Sequence, residues 1–269
     1  MTYPLNQSQL GVYYPCQSEG VGDYIIYRLF RLGKEIDKDR LIHAIGQAVH
    51  NHPHLFDTIV TDEAGEPVWE VADCTDASAQ ETWQVEEVSS KEALEKDPEE
   101  KMPMECRLFS IRLMDTDEVL LCRIAIHHIL ADGMSFGILC ADISRAYNGE
   151  TLVPESVDTR ALNTAEATKR QSNIYTEEKS WYEQTFGGVE SVSLPLRDLY
   201  AEGEEHYQTV WREMSVRREA IKELCAATQT GTSIPFTTAF ALMLHAFTGD
   251  EQVSYASFYH GRGAGGRGV

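Results

Sequence analysis

One stretch limits the folds open to this chain more than any other. Residues 119–126, Val-Leu-Leu-Cys-Arg-Ile-Ala-Ile, are apolar apart from Arg123 and run straight into His127-His128-Ile129-Leu130-Ala131-Asp132-Gly133. An apolar run of this length without polar alternation predicts a strand covered on both faces. Met134 to Tyr147 then places Phe136, Leu139, Ile143, Ala146 and Tyr147 three or four residues apart, the period of a one-sided helix. Ser135 is placed to cap that helix, and Asn148-Gly149 to end it. Strand alternation puts His128 on the face of Ile124 and Ile126, and His127 on that of Arg123 and Ala125. One histidine can therefore face a cleft while its neighbour is held in structure. A buried imidazole must find a hydrogen-bond partner. Gly133 is expected to supply a positive φ or a close backbone approach. Two histidines that merely complete a core are the ordinary alternative; the doublet followed by an Asp-Gly turn favours function.

The rest of the chain supplies layers for such a strand. Gln7 to Cys16 reads as a short helix and Tyr24 to Leu32 as a strand. Asp37 is a predicted N-cap for a helix carrying Leu41, Ile42, Ile45, Ala48 and Val49, stopped at Pro53. Leu55–Val60 and Pro67–Val71 read as a hairpin around Asp62 to Glu66. Lys91 to Lys101 is charge-rich and expected to be a solvated helix and loop. Glu105–Leu113 and Glu118–Ile126 read as adjacent strands joined at Asp115-Thr116-Asp117. Glu150 to Tyr175, polar and weakly periodic, is the best linker candidate. Beyond it come a helix from Thr176 with Trp181, Tyr182 and Phe186, and a strand over His206–Met214. A helix capped by Ser215 with Ile221, Leu224 and Cys225 follows, then one opened by Ser233 and Pro235 and stopped at Thr248-Gly249, then a strand over Gln252–Tyr259. The reading is an α/β protein, an α+β two-layer sandwich, with one lobe over residues 1–160, a second over 161–260, and a flexible Gly-rich tail, 261–269.

The totals exclude several classes. A net charge of −20 argues against nucleic acid, whose phosphates need a basic surface. An acidic protein docking an acidic partner needs a local basic cluster, for which Arg28 and Arg31 are candidates. Cys16, Cys74, Cys106, Cys122, Cys140 and Cys225 stand singly, without the paired spacing of a zinc site, and fit reduced thiols in a cytoplasmic protein. No signal peptide or apolar run of about 18 residues is present, so no membrane span is expected.

The segment HHILADG resembles the HHxxxDG motif of the chloramphenicol acetyltransferase-like superfamily, and more of the chain resembles one branch of it, the condensation domains of nonribosomal peptide synthetases. Tyr3-Pro4-Leu5-Asn6-Gln7-Ser8-Gln9-Leu10-Gly11-Val12-Tyr13 is similar to that family's opening motif. His52-Pro53-His54-Leu55 stands where the family carries His-Glu-x-Leu-Arg, and Ser254 to Arg262 resembles a strand ending in Gly-Arg. The resemblance implies a chloramphenicol acetyltransferase-like fold with a complete N-terminal lobe carrying the motif and an incomplete C-terminal lobe, the chain being C-terminally truncated. It implies amide formation between an acyl or peptidyl thioester on a donor carrier protein and the amine of an aminoacyl group on an acceptor carrier.

By the same resemblance His128 is the catalytic residue, accepting the amine proton or orienting the amine. His127 supports it, Asp132 holds the loop through an arginine, and Gly133 keeps the channel open and offers a backbone N–H. The family's arginine after the Leu is Phe56 here, which leaves Arg262 and Arg123 as candidate partners of Asp132. No metal and no directly bound cofactor is implied; substrates arrive on the phosphopantetheine of donor and acceptor carriers, and adjacent synthetase domains are partners. The alternatives are a free-standing CoA-dependent acyltransferase and a catalytically inactive fragment that only docks a carrier. Epimerization domains share the motif, but Tyr3-Pro4-Leu5 and Gln9 favour condensation. Little or no turnover is expected of the 269 residues alone.

Overall fold

The computed structural model describes residues 1–17, 24–72, 84–95, 102, 104–155, 158–188 and 211–257. The chain opens with β1 (Thr2–Pro4) and α1 (Gln7–Cys16), followed by β2 (Ile25–Leu32) and α2 (Lys38–Asn51). A 3-10 turn (Pro53–Phe56) leads into the hairpin of β3 (Thr58–Thr61) and β4 (Pro67–Glu70). Then come β5 (Glu86–Glu87), α3 (Lys91–Glu95), β6 (Phe109–Asp115), β7 (Leu120–His127) and α4 (Gly133–Tyr147). Four further helices complete the order: α5 (Thr159–Arg170), α6 (Asn173–Phe186), α7 (Arg218–Thr228) and α8 (Ser233–Thr248).

The chain divides into two compact units, one containing Met1–Glu177 and a second, Glu178–Gly261. The first is built on a sheet of order β2-β7-β6-β5, antiparallel except for the β5–β6 pair. The apolar run accounts for the central place of β7: a strand flanked on both sides needs apolar residues on both faces. One face, with Cys122, Ile124 and Ile126 of β7 and Phe109, Ile111 and Leu113 of β6, joins a core shared with Leu41, Ile45, Ala48 and Val49 of α2 and Phe136, Leu139 and Ile143 of α4. Both helices show the apolar stripe read from their sequences. Asp37 caps α2 as expected, its carboxylate accepting the Arg40 N–H at 3.0 Å. A second sheet, β1-β4-β3, buries Tyr3, Ile59 and Trp69.

Several expectations need correction. Residues 150–175 are not a linker: α5 occupies the middle of that stretch and lies against β1. Its attachment is polar, which a search for apolar periodicity does not detect. The helix after the histidines is capped by Asp132, not Ser135, because it begins at Gly133. Leu94 of α3 is wholly buried, so this charged segment is anchored rather than solvated throughout. Arg28 and Arg31 are both exposed on β2, but three residues apart in a strand they point to opposite faces and make no single basic patch.

In the second unit, α7 and α8 pack together and bury Cys225 and Leu244. No side chain caps α7, whose N-cap is Arg217 rather than Ser215. Gly249 ends α8 at φ 75°, as its place after Thr248 suggested. The strands expected over 206–214 and 252–259 do not form at the described positions 211–214 and 252–257. Local alternation does not make a strand without a partner ladder, and Tyr255 instead donates its hydroxyl to the Thr237 carbonyl at 2.8 Å. The rest of both expected strands, and the tail 261–269 with Arg262, lie outside the described residues.

Candidate active site

The two histidines part at the point where β7 ends. His127 is the last residue of the strand, opposite Ile25 of β2, and is wholly buried. Its N–H donates to the Leu108 carbonyl at 2.8 Å, while the His128 N–H donates to the Tyr24 carbonyl on the other side at 2.6 Å. The chain then turns: the His127 carbonyl accepts the Leu130 N–H at 3.0 Å, and the His127 Nδ1 accepts the Ile129 N–H at 3.2 Å. An imidazole nitrogen that accepts a hydrogen bond carries no proton, so His127 is neutral with its proton on Nε2, which lies 3.9 Å from the Cys16 Sγ. His127 is thereby committed to holding the turn.

His128 stands at the tip of that turn and is exposed. Ile129, Leu130 and Ala131 beyond it are all buried, so the backbone is drawn back into the core on the far side of a single protruding ring. Among the described residues no hydrogen-bond or ionic partner engages the His128 ring. The difference in burial between the two histidines matches what strand alternation allowed, but its cause differs. His128 lies past the end of the strand, in the turn, and is directed by the burial of the three residues that follow.

Asp132 closes the segment. Its Oδ1 accepts the Ser135 N–H and the Ser135 hydroxyl, each at 2.7 Å, which satisfies one of the donors left over at the start of α4. Gly133, the exposed first residue of α4, has no positive φ, and a Cβ built on it would meet nothing within 4 Å. The expectation of a special backbone conformation or a close backbone approach is therefore overturned; Gly133 leaves open space beside the turn. Arg123 sits on the same face of β7 as His127, buried, its guanidinium carbon 5.3 Å from the centre of the Tyr27 ring. The place of the family's arginine is filled by Phe56, whose ring meets Phe109 edge-on at 5.8 Å.

Three polar clusters in the same unit were not anticipated. His52, at the end of α2, is buried between two carboxylates: its Nδ1 is 2.5 Å from Glu155 Oε1 and its Nε2 3.2 Å from Asp142 Oδ2, the latter outside hydrogen-bonding geometry. Asp142 also takes Arg145 and the Asn51 amide, each at 3.1 Å, so the cluster ties α2 to α4 and to the segment after α4. Asp142 lies three residues after Leu139, on the apolar face of α4; that displaced charge was the available signal. The second cluster is the wholly buried Asp57, which accepts the Tyr3 hydroxyl at 2.8 Å and the Arg160 guanidinium at 3.0 and 3.2 Å. Burial first, then the Asp57 charge, pushes the Tyr3 phenol well above its ordinary value. The third centres on Gln9. Its Oε1 accepts from the Asn6 N–H at 3.0 Å, Trp69 Nε1 at 3.1 Å and Asn163 Nδ2 at 2.7 Å, and its Nε2 donates to the Ile129 carbonyl at 3.3 Å. Among the described residues no group of three or more His, Cys, Asp or Glu side chains is arranged to hold a metal ion, and no helix is long and apolar enough to cross a membrane.

This fold recurs in proteins of known kind. The family described as Condensation domain matches residues 1–267. Surfactin synthase subunit 1 of Bacillus subtilis (strain 168) is 29% identical over 198 residues, 72% of this chain and 5% of that protein. Surfactin synthase subunit 2 of the same organism is 28% identical over 280 residues, 97% of this chain and 7% of that protein. The chain thus spans a small fraction of these relatives. The first condensation domain of the calcium-dependent antibiotic synthetase, solved with a substrate analogue, superposes with a TM-score of 0.67 at 18% identity, over 94% of this chain and 63% of that one. The epimerization domain from the third module of tyrocidine synthetase B gives a TM-score of 0.71 at 16% identity, over 93% and 60%. At these identities the structural likeness speaks for the fold alone. With the family match over nearly the whole chain, the α/β fold and the HHxxxDG turn have one consistent assignment: the chain belongs to the condensation-domain family.

Proposed function

We propose that the chain carries the amide-forming centre of a nonribosomal peptide synthetase, with His128 as the catalytic residue. The α-amine of an aminoacyl group on an acceptor carrier attacks the thioester carbon of an acyl or peptidyl group on a donor carrier. The new C–N bond forms as the C–S bond breaks. The amine loses a proton to the His128 imidazole, and the donor's thiolate is protonated in turn. The thioester is already activated, so the remaining work is to place the amine, take its proton and stabilise the oxyanion. The observation that carries the proposal is one exposed imidazole, without a partner among the described residues, on a turn whose backbone is pinned to the strands on either side.

His127 and Asp132 support the turn, the first through its bond to Ile129 and the second as the cap of α4. Arg123 is proposed to act on the Asp132 side of the same segment; Arg262, the other candidate, lies outside the described residues. Gly133 leaves clearance for the substrates. Both substrates arrive on phosphopantetheine arms of donor and acceptor carriers, from adjacent synthetase domains, in the cytoplasm. Two lobes are proposed as in the sequence division 1–160 and 161–260, but with the boundary placed after α5, at the end of the unit Met1–Glu177, and with the tail after them.

The test is made in the full-length gene product with loaded carriers. His128→Ala should lower dipeptidyl-carrier formation by at least about a hundredfold, the usual contribution of a positioned general base. His127→Ala should instead lower stability together with activity. Undiminished product from His128→Ala sinks the proposal, and turnover on free acyl-CoA would move the chain to the CoA-dependent acyltransferases.

A further inference from the structure

The orientation of the His128 turn is set from a distance of more than a hundred residues in sequence. Three donors converge on the Gln9 Oε1, from Asn6, Trp69 and Asn163, at 2.7–3.1 Å. Three donors on one atom identify it as the carbonyl oxygen, so the amide cannot be reversed and the Gln9 NH2 must point the other way. There it meets the Ile129 carbonyl at 3.3 Å. Ile129 directly follows His128, and its N–H is already taken by the His127 Nδ1. Both polar backbone groups of the residue after His128 are therefore engaged, one by the strand-end histidine and one by α1. Asn163 itself is 2% exposed and reaches from α5 to three groups around α1: the Pro4 carbonyl at 3.0 Å, the Asn6 amide at 3.1 Å and Gln9.

We infer that Gln9 is a positioning residue for the reaction: held by Asn163 and Trp69, it fixes the Ile129 carbonyl and with it the direction in which the His128 ring points. This rests on the proposed amide-forming role of His128. The inference follows from the division of labour on one side chain, whose oxygen is saturated by the scaffold while its nitrogen serves the turn. A residue that only packed α1 would not need the second half.

Gln9→Glu separates the two halves. A carboxylate can still accept from Asn6, Trp69 and Asn163 but cannot donate to Ile129. At pH 8 the variant should lose roughly tenfold in kcat with KM little changed, the worth of one hydrogen bond expressed only in positioning. A lesion that loosened the scaffold without touching the turn would leave kcat unchanged or carry its loss in KM, and that result overturns the inference.

The second readout needs no turnover. In the 269-residue chain, Gln9→Glu at pH 8 should shift the His128 ring resonances and speed amide exchange at Ile129 and Leu130. Unchanged resonances and exchange overturn the inference whatever the reaction proves to be. An inactive wild type in the full-length assay, with these shifts present in the 269-residue chain, counts against the amide-forming role and leaves the positioning intact. Should Gln9→Glu fail to fold, Asn163→Ala, which frees the Gln9 amide to swing, should give the same shifts with about a threefold loss of kcat. Its silence in both readouts would likewise overturn the inference.

Discussion

Arg160→Ala puts the polar docking of α5 to a quantitative test. Asp57 is wholly buried and accepts from four directions: the Tyr3 hydroxyl at 2.8 Å, the Ala72 N–H at 3.0 Å, and Arg160 Nε and Nη2 at 3.2 and 3.0 Å. Removing the guanidinium leaves the carboxylate with two neutral donors and no countercharge from this pair. Breaking a buried ion pair by deleting one partner costs about 3–5 kcal/mol. The Arg160 side chain is 30% exposed, so water replaces part of what is lost and the lower end applies, about 3 kcal/mol. With a urea slope of about 2 kcal/mol per molar, the midpoint should fall by about 1.5 M.

The two units need not unfold together, so the transition is best read from amide exchange in α2, which belongs to the first unit. Asp57→Asn completes a double-mutant cycle. The double variant should be less destabilised than the sum of the singles by about 2 kcal/mol, because the unpaired charge is then absent. A loss below about 1 kcal/mol for Arg160→Ala, or additive singles, would refute the claim that this pair fastens α5 to the first unit.

Two further outcomes follow from the same geometry. Burial pushes the Cys122 thiol up to about 12 and the Cys140 thiol up to about 11 from an ordinary 9.0. The fold therefore holds both protonated, the unfolded chain ionises first, and stability should fall as the pH rises past about 9 until the folded values are reached. At pH 8 a thiol reagent should label exposed Cys106 quickly and Cys122 and Cys140 only after denaturation; prompt labelling of all three would contradict the packing. Asp132→Ala should lower stability by about 1 kcal/mol in urea denaturation through loss of the α4 cap, and Asp132→Asn, which keeps an acceptor for Ser135, should restore most of it. Failure of the asparagine to restore stability would mean that the charge at position 132 matters more than the cap.

What could be read from the sequence was what repeats along it. The apolar run of β7, the stripes of α2 and α4, the Asp37 cap and the β3–β4 hairpin are local patterns, visible in short windows of sequence. Helix α5 shows no such pattern. It is held by Arg160 to Asp57 and by Asn163 to Pro4, Asn6 and Gln9, partners 103 to 159 residues away, so a polar helix that is firmly docked reads as a connecting segment. The site divides the same way. HHILADG marks where the chemistry belongs, but alternation alone could not say that β7 stops at His127. The exposure of the next ring follows from where Ile129, Leu130 and Ala131 are buried, and these need the whole core to be in place. Gln9 stood in a recognised opening motif, yet its contact with Ile129 spans 120 residues and exists only once α1, β4 and α5 have met. A catalytic turn of this kind is thus announced by its own letters and aimed by residues elsewhere. Substitutions outside the motif, at Gln9 and Asn163, are therefore expected to change its rate while every residue of HHILADG stays in place.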